Sequence, residues 1–450
     1  MIRLFITIAI LCTSSFSYAA KFNVATFEVD VTVPMGHALM GGGIAPAKEV
    51  VDPLSAQGIV LLGAGAPLVW LSLDWCEVRN DAYDAWREAL AEAAGTTQER
   101  VLFACIHQHD TPVADFTAQA LLDEVGLEKS LCDVPFVQDC IARSAAALKE
   151  SLATARPVTH YGVGKAKVEG VTSNRRVLDE NGKDVFHRNS SCANESLRAQ
   201  PEGTIDPWVK TLSFWDGEKP VAAMSTYAVH PMSYYGRGGV SADFVGMARA
   251  NMQAEVPDAK YLYFSGCSGD VVAGKFNDGS DSERPKLAER LYTGMKAAWD
   301  TTERFKLRKI NFRNEILQLP MRETEAFTAE AQRAVLDNKE AKTFNRNLAA
   351  MGLSWHAAQA KGNTIDVGMV DFGKAQFLLM PAESFVGFQL EAQSLRPDST
   401  VLVAGYGESA PGYIPTASAE AEGFIDGHTW CWVHHGAHAA MSDVMKRALR

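Results

Sequence analysis

The sequence predicts an α/β fold in which mixed β-sheets are layered with helices in a single large domain. Short, wholly apolar runs typical of buried strands alternate with longer segments of helical periodicity. No internal repeat, low-complexity segment or Pro/Ser-rich linker divides the 450 residues. At 47% hydrophobic and 22% charged residues, the composition is that of an ordinary globular protein. One domain with a large core is therefore expected.

The predicted elements follow one another along the whole chain. Turn residues bound each apolar run, and Gly95 ends the first helix. The predicted strands are residues 58–62, 68–73, 101–106, 209–214, 221–229, 261–264, 305–319, 365–372, 376–380 and a short one near 401. The predicted helices are residues 81–94, 136–153, 245–255, 283–298, about 323–361, one from 383, and 437–449. Residues 170–207 are polar and irregular, which predicts a long loop.

The first 20 residues have the pattern of a secretory signal peptide. Arg3 supplies the positive charge, Leu4 to Cys12 form a brief apolar stretch, and Ser17-Tyr18-Ala19 offers a cleavage pattern. Leu11 is bulky where a lipoprotein signal has a small residue, so we expect soluble export to the periplasm or the medium. The apolar stretch is far shorter than the about 20 residues of a membrane helix. Residues 21–450 then form the mature domain, in which no segment is expected to span a membrane.

Charge and cysteine content argue against nucleic-acid binding and against a structural zinc knuckle. The net charge of −11 and the lack of any Lys/Arg run argue against nucleic acid. Seven cysteines follow the signal segment, an odd number without a regular framework or a Cys-x-x-Cys pair, which argues against a structural zinc knuckle. Cys132 and Cys140 are the best candidates for a disulfide.

The segment Phe103-Ala-Cys-Ile-His107-Gln-His109-Asp-Thr-Pro112 carries the first chemical signal. His107 and His109 leave a buried strand two residues apart, so that their side chains project to the same side. Such a pair can aim two imidazoles at one metal ion. A hydrogen-bonded histidine pair in a loop is the structural alternative for an isolated motif of this kind.

Three further polar residues stand where predicted strands end. His230 follows in Ala-Val-His230-Pro231, Glu383 in Met-Pro381-Ala-Glu383, and Tyr413 in a Gly-rich loop before Pro415. Open α/β sheets gather their sites at this edge. Imidazole, carboxylate and phenol oxygen are all plausible zinc ligands, and zinc lowers the pKa of bound water to about 7.

Together these segments resemble the N-terminal catalytic domain of the neutral/alkaline (non-lysosomal) ceramidases, which are zinc-dependent N-acyl amidases. The resemblance runs from about residue 22 to near the C-terminus and includes Ser-Asn174-Arg175, Ser241-Ala-Asp243 and Gly269-Asp270-Val271. It implies that His109 and Arg175 stabilise the oxyanion. It also implies that one Zn²⁺ is bound by four residues: His107, His230, Glu383 and Tyr413.

Two residues depart from the family pattern. The family has a serine near the ceramide headgroup where this chain has Val272, and a second tyrosine where it has Phe424. The family's C-terminal β-sandwich domain is not expected in this chain. Asp74, Asp243 and Asp270 are candidates for orienting the imidazoles or touching substrate, and turn capping is an equal alternative for them.

The leading hypothesis is therefore an exported zinc hydrolase, a ceramidase-like amidase of lipid metabolism. It would cleave a small-molecule or lipid-like N-acyl amide by metal-activated water, with long-chain ceramide a poor substrate. An esterase or carbohydrate deacylase on the same metal site, and a non-catalytic binding protein of the same fold, are the alternatives. A metallo-β-lactamase-like site would need Asp-His directly after His109, where Thr111 and Pro112 follow Asp110 instead. Acyl chain, headgroup and oligomeric state are not predicted.

Two other segments contain histidines with weaker signals. His434, His435 and His438 cluster before the last helix without a neighbouring carboxylate, which makes metal binding there the weaker hypothesis. His37 lies in a Gly-rich loop that can line the site entrance. No Lys-Ser/Thr pair follows it, which argues against phosphate binding.

Overall fold

A computed structural model describes residues 22–178 and 184–450. The predicted signal peptide, residues 1–20, lies outside the described residues. The strands are, in chain order, β1 (Phe22–Asp30), β2 (Glu49–Val50), β3 (Ser55–Leu62), β4 (Leu68–Leu73), β5 (Glu77–Val78), β6 (Val101–Cys105), β7 (Val113–Ala114), β8 (Arg156–Val158), β9 (His160–Lys167), β10 (Ser173–Asn174), β11 (Arg176–Leu178), β12 (Asp184–His187), β13 (Trp208–Asp216), β14 (Lys219–Tyr227), β15 (Gly239–Val240), β16 (Lys260–Ser265), β17 (Val271–Val272), β18 (Glu303–Lys306), β19 (Asn311–Leu317), β20 (Ile365–Asp371), β21 (Ala375–Leu379), β22 (Glu383–Ser384), β23 (Thr400–Ala404) and β24 (Tyr413–Ile414).

The helices alternate with these strands, as the sequence predicts for an α/β fold. They are α1 (Asn80–Ala94), α2 (Phe116–Asp123), α3 (Val134–Ser151), α4 (Glu195–Ala199), α5 (Asp243–Glu255), α6 (Glu283–Asp300), α7 (Ala329–Asp337), α8 (Thr343–Ala360), α9 (Val386–Ser394), α10 (Ala417–Ala421), α11 (Phe424–Gly427) and α12 (Ala437–Ala448). Gly95 adopts the left-handed conformation after α1, with φ 68°, which ends that helix as predicted. Among the described helices, none combines the length and apolar character needed to cross a bilayer.

Three mixed sheets form the framework. Their strand orders are β6-β4-β3-β1-β8, β16-β14-β13-β9-β18 and β19-β20-β21-β23. Each sheet contains one parallel pair, which is β4 with β6, β14 with β16, and β21 with β23, and its other pairs are antiparallel. The carboxyl ends of the parallel strands carry the connections in which the predicted site residues lie.

The inner faces of the three sheets meet in one core. Trp70 of β4 shows this directly, because its ring centroid is 6.3 Å from that of Phe214 in β13 and 6.0 Å from that of Phe377 in β21. Alternate residues of β4, such as Val69 and Leu71, belong to an outer cluster with the helices instead. Since both faces of these strands are buried, their sequences are continuously apolar.

Helices cover the outer face of each sheet. Buried side chains of α1 and α3 pack with the first sheet, those of α5 and α6 with the second, and those of α9 and α12 with the third. The result is one large mixed α/β domain, which confirms the predicted fold class.

Several element predictions were wrong in detail. Residues 305–319 form two strands in different sheets: β18 pairs with β9 and β19 pairs with β20. Residues 307–310 connect them, and the Leu307 N–H still donates to Thr159 O at 2.8 Å beside the β18–β9 pair. The predicted loop at 170–207 contains β10, β11, β12 and α4. Glu383 lies in β22, and the helix predicted to start there begins at Val386.

The predicted Cys132–Cys140 disulfide is also wrong. Both thiols are free and buried, as are the other five cysteines of the described residues. Cys140 lies on α3, where its Sγ accepts a hydrogen bond from Arg143 Nη2 at 3.3 Å. The cysteines thus behave as small apolar side chains.

Candidate metal centre

The loops after β6, β14 and β21 bring three predicted ligands to one point. His107 comes two residues after β6, His230 three residues after β14, and Glu383 begins β22. Glu383 and Tyr413 are direct partners in the parallel pair of β22 and β24. Parallel partners project to the same side, so the fourth predicted residue stands beside the third.

Three ligand atoms converge in the interior. His107 Nε2 lies 3.3 Å and His230 Nε2 lies 3.6 Å from Glu383 Oε2. All three atoms are buried without a hydrogen-bond partner among the described residues. Ligands of a tetrahedral Zn²⁺ at 2.0–2.1 Å are about 3.3–3.4 Å apart. Unsatisfied buried atoms at these separations fit a zinc ion in both spacing and chemistry.

The far side of each imidazole fixes the protonation of its ring. His107 Nδ1 lies 2.9 Å from Cys76 O, and His230 Nδ1 lies 3.1 Å from Ser268 O. Because a carbonyl only accepts, the hydrogen is assigned to Nδ1 in both rings. Each Nε2 therefore keeps a lone pair that faces Glu383, the arrangement that a metal ligand requires.

Backbone carbonyls thus orient the two imidazoles, a role for which the sequence suggests three aspartates. Asp74 forms a buried ion pair with Arg249 at 2.5 Å. Asp243 lies 3.3 Å from Arg284 and accepts from Ser233 N at 3.0 Å. None of these contacts involves an imidazole, so both aspartates hold surrounding segments in place.

Asp270 joins two segments that carry predicted site residues. Its side chain accepts hydrogen bonds from Asn174 Nδ2 at 3.0 Å and from Val386 N at 2.7 Å. Its backbone carbonyl accepts from Arg175 N at 2.7 Å. Asp270 therefore fixes the position of Arg175 relative to the chain that follows Glu383.

His109 and Arg175 flank the cluster. The ring of His109 lies 5.3 Å from that of His107 and 5.5 Å from that of His230, centroid to centroid. Arg175 Nη1 donates to Tyr413 Oη at 2.9 Å, and Arg175 Nε has no partner among the described residues. Both side chains can therefore offer hydrogen bonds to a molecule bound beside the cluster.

Burial controls the charge of these groups. It lowers the pKa of His230 and of His109 well below the ordinary value, and the positive charge of Arg175 contributes to both shifts. Burial also disfavours protonation of His107, but Glu383 and other neighbours outweigh it and raise its pKa. Burial raises the pKa of Tyr413 well above its ordinary value, although Arg175 opposes this. Without a metal, a proton on His107 is thus the natural counter-charge for Glu383.

Several residues around the cluster were not predicted from the sequence. Tyr406 stacks on His107 with ring centroids 4.3 Å apart, and Tyr235 packs edge-on against His109 at 4.8 Å. His428 lies 4.5 Å from the Tyr413 ring. Single aromatic residues in loops carry no periodic signal, so only the fold reveals them.

Cys76 offers a second, weaker ligand set. Its thiol belongs with His107 and His109 to a group whose ligand atoms lie within 4.8 Å of one another. His107 Nδ1, the nitrogen that faces Cys76, is 3.9 Å from the thiol and already engaged with the Cys76 carbonyl. The set of His107, His230 and Glu383 is therefore the better metal site.

The remaining predicted residues lie elsewhere or beside the cluster. Val272 is fully buried in β17, opposite Ser173, and Phe424 lies 5.7 Å from the Tyr413 ring. His37 is engaged at both nitrogens, with Ala38 O and Asp133 N.

The terminal histidine cluster does not form a ligand set. The His434 and His435 rings are 5.2 Å apart, whereas His438 packs against Phe388. Metal binding by this cluster thus gains no geometric support.

The three-sheet fold is that of the neutral ceramidases. Neutral ceramidase from Pseudomonas aeruginosa has a TM-score of 0.68 and 16% identity, with 96% of this chain and 74% of that chain covered. A solved structure described as a ceramidase complexed with C2 has a TM-score of 0.67 and 15% identity, covering 96% and 75%. No family model and no curated protein sequence matches this chain. The resemblance predicted from the motifs is thus confirmed at the level of the fold.

The buried neutral histidine His230 makes a testable contribution to stability. An unfolded histidine takes up a proton near pH 6.5, whereas folded His230 resists it because its pKa is lowered. The free energy of unfolding of metal-free protein should therefore fall below pH 6.5, by at most about 1.4 kcal/mol per pH unit from this residue. Urea unfolding with chelator at pH 7.5, 6.5 and 5.5 measures it (roughly one pH unit per step).

His230→Asn should reduce this pH dependence relative to the unchanged protein. His435→Asn is the control, because its side chain is 46% exposed. Equal slopes for His230→Asn and the unchanged protein would show that His230 is protonated in the folded state.

Proposed function

We propose that this chain is a zinc-dependent hydrolase that cleaves an N-acyl amide bond. The observation that carries the proposal is the convergence of three buried, unpartnered ligand atoms, on His107, His230 and Glu383, at 3.3 and 3.6 Å. Tyr413 stands beside Glu383 as the fourth ligand. The fold shared with two ceramidase structures supports the same class of reaction.

Zinc bound there supplies a Lewis acid and a water acidic enough to ionise near neutral pH. The chain's own contribution is to present two imidazoles with Nε2 lone pairs and one carboxylate, all three buried side chains. Because His107 takes up a proton readily when the site is metal-free, acid should compete with the metal for this ligand.

Arg175 and His109 act on the substrate carbonyl in this proposal. As the carbonyl is attacked, its oxygen becomes negative, and preorganised donors stabilise that charge most strongly in a dry site. The Arg175 guanidinium is held by Tyr413 Oη at 2.9 Å and keeps further N–H groups to donate. His109, neutral because of its lowered pKa, retains one N–H that can donate beside it.

The surroundings favour an acyl-bearing substrate. Tyr235 is 40% exposed next to His109, and the Phe424 and His428 rings lie 5.7 Å and 4.5 Å from Tyr413. Aromatic surfaces of this kind can accept the apolar part of an acyl group. An N-acyl compound is therefore the proposed substrate class, with esters and carbohydrate acyl groups as the competitors.

We also propose export and a mature domain of residues 21–450. Both rest on the sequence of residues 1–20 alone.

The direct test measures metal and turnover together. Purified protein should contain about one equivalent of zinc, lose activity with chelator, and regain it with added zinc. A panel of matched N-acyl and O-acyl substrates and acetylated sugars then ranks the three hydrolase classes. Zinc without turnover of any panel member would favour a binding protein, and the absence of zinc would remove the proposal.

His107→Ala and His230→Ala should each abolish zinc binding and activity while the protein remains folded. Each removes one of only four ligands from an exchangeable site. Elemental analysis and circular dichroism check the two parts of this expectation, with His435→Ala as a histidine control outside the cluster. A full equivalent of zinc in either ligand variant would contradict the assignment.

Arg175→Ala should keep zinc but lower kcat by about 100- to 1000-fold, the usual effect of removing an oxyanion donor. Steady-state kinetics and zinc content are measured on the same preparation. Arg176→Ala is the matched control, because Arg176 pairs with Glu422. A normal rate for Arg175→Ala would show that Arg175 is structural, and a loss of rate in Arg176→Ala alone would assign the donor role to Arg176.

Val272 should make long-chain ceramide a poor substrate. A site that hydrogen-bonds a substrate hydroxyl selects strongly for it, and an apolar replacement leaves that hydroxyl unpaired. We expect kcat/KM for short N-acyl substrates to exceed that for long-chain ceramide. Val272→Thr, which adds a hydroxyl at similar volume, should narrow the ratio, whereas Val272→Ala should not. Equal turnover of both substrates by the unchanged protein would refute this argument.

A further inference from the structure

Tyr406 occupies a special position between the ends of the three ligand-bearing segments. It lies in the loop after β23, is fully buried, and has a left-handed backbone with φ 58°. Its N–H donates to Ala382 O at 3.1 Å, and its carbonyl accepts from Cys105 N at 3.0 Å. The backbone of Tyr406 thus joins the strand that leads to His107 with the residue that precedes Glu383.

The Tyr406 side chain contacts both predicted imidazole ligands. Its ring stacks on His107, with centroids 4.3 Å apart and an angle of 17° between the planes. Its hydroxyl oxygen lies 3.3 Å from His230 Nδ1 and 2.7 Å from Ser268 Oγ. One side chain therefore restricts the tilt of one ring and touches the protonated nitrogen of the other.

These contacts allow one consistent arrangement of hydrogens. His230 Nδ1 carries a hydrogen, since it faces the carbonyl of Ser268 at 3.1 Å. The same hydrogen can only be accepted by the Tyr406 oxygen, so the Tyr406 O–H is left to donate to Ser268 Oγ. The phenol thereby favours the His230 tautomer whose Nε2 lone pair faces Glu383.

We propose that Tyr406 is a positioning residue that sets His107 and His230 at the mutual angle in which both Nε2 atoms face Glu383. The two rings are perpendicular, at 90° with centroids 4.7 Å apart, and Tyr406 is packed against both. The proposal rests on the proposed function insofar as the two histidines are metal ligands. Groups that orient ligands in this way typically contribute 10- to 100-fold to metal affinity.

Two variants separate the ring from the hydroxyl. Tyr406→Phe keeps the stack on His107 and removes the contact with His230, whereas Tyr406→Leu removes both. We expect zinc affinity, measured by chelator competition, to fall about 10-fold in Tyr406→Phe and nearer 100-fold in Tyr406→Leu. The visible absorption spectrum of the Co²⁺-substituted protein should change in both, because the ligand geometry changes.

Tyr83→Phe is a closely matched control. Tyr83 is also buried, stacks on Phe103 with centroids 5.0 Å apart at 10°, and donates to Phe103 O at 2.9 Å. The Tyr83→Phe variant should lose about as much stability as Tyr406→Phe, but its zinc affinity and Co²⁺ spectrum should be unchanged. Thermal unfolding of each variant shows that the comparison is made on folded protein.

A readout on metal-free protein keeps this proposal separate from the proposed function. The ring protons of His107 should show a ring-current shift in the NMR spectrum that survives in Tyr406→Phe and is lost in Tyr406→Leu. If the unchanged protein binds no zinc, the proposed function fails, and the His107 shift still decides the role of Tyr406. If both variants fold, unchanged zinc affinity and unchanged His107 shifts would overturn the proposal. If Tyr406→Leu does not fold, Tyr406→Phe decides alone. Unchanged zinc affinity, Co²⁺ spectrum and His230 tautomer in Tyr406→Phe would then overturn the proposal.

Discussion

The close approach of Glu383 to His107 and His230 is the constraint on which the surrounding structure depends. Three polar atoms without partners are buried together, and each such atom costs roughly 1–3 kcal/mol when left unsatisfied. Without a metal, a proton on His107 offsets the charge of Glu383 but leaves His230 Nε2 without a partner among the described residues. A cation at their centre would convert this cost into binding energy, so folding and metal uptake should be coupled.

The backbone around this cluster is strained at three residues. His107, Ala382 and Tyr406 all have positive φ, at 69°, 48° and 58°, although none is glycine. Such conformations cost about 1–2 kcal/mol per residue. Each lies just after one of the parallel strands β6, β21 and β23, where it turns a side chain or the next residue inward. Strain that clusters in this way at one point is typical of a functional site.

The same features explain what the sequence could and could not predict. Strands such as β4 and β6 are apolar on both faces. A continuous apolar run predicts a buried strand whichever strands it pairs with, so both were predicted from the sequence. Residues 305–319 alternate regularly although they belong to strands of two different sheets, because periodicity does not specify the partner strand. Cys132 and Cys140 are close in sequence, but disulfide pairing depends on geometry that spacing does not determine.

In the site, the side chains could be predicted from the sequence, whereas the backbone contacts that orient them could not. His107, His230 and Glu383 were predicted because each follows an apolar strand and because their segments resemble the zinc-binding motifs of the ceramidase family. Their orientation depends on the carbonyls of Cys76 and Ser268, and a carbonyl is present at every residue and leaves no trace in a sequence. The sequence suggests Asp74, Asp243 and Asp270 for that role because a carboxylate side chain is a strong acceptor that a sequence displays.

The candidate ligands and the residues around them are held in place by different kinds of contact. At 16% identity with a ceramidase of the same fold, few side chains are shared. The fold can persist across that distance because it depends on strand packing and backbone contacts, which tolerate exchange of side chains. Val272, Phe424 and Tyr235 have no such protection, since each can change without disturbing a hydrogen bond to the cluster. A fold of this kind can therefore keep the same strand ends together while the side chains around them change.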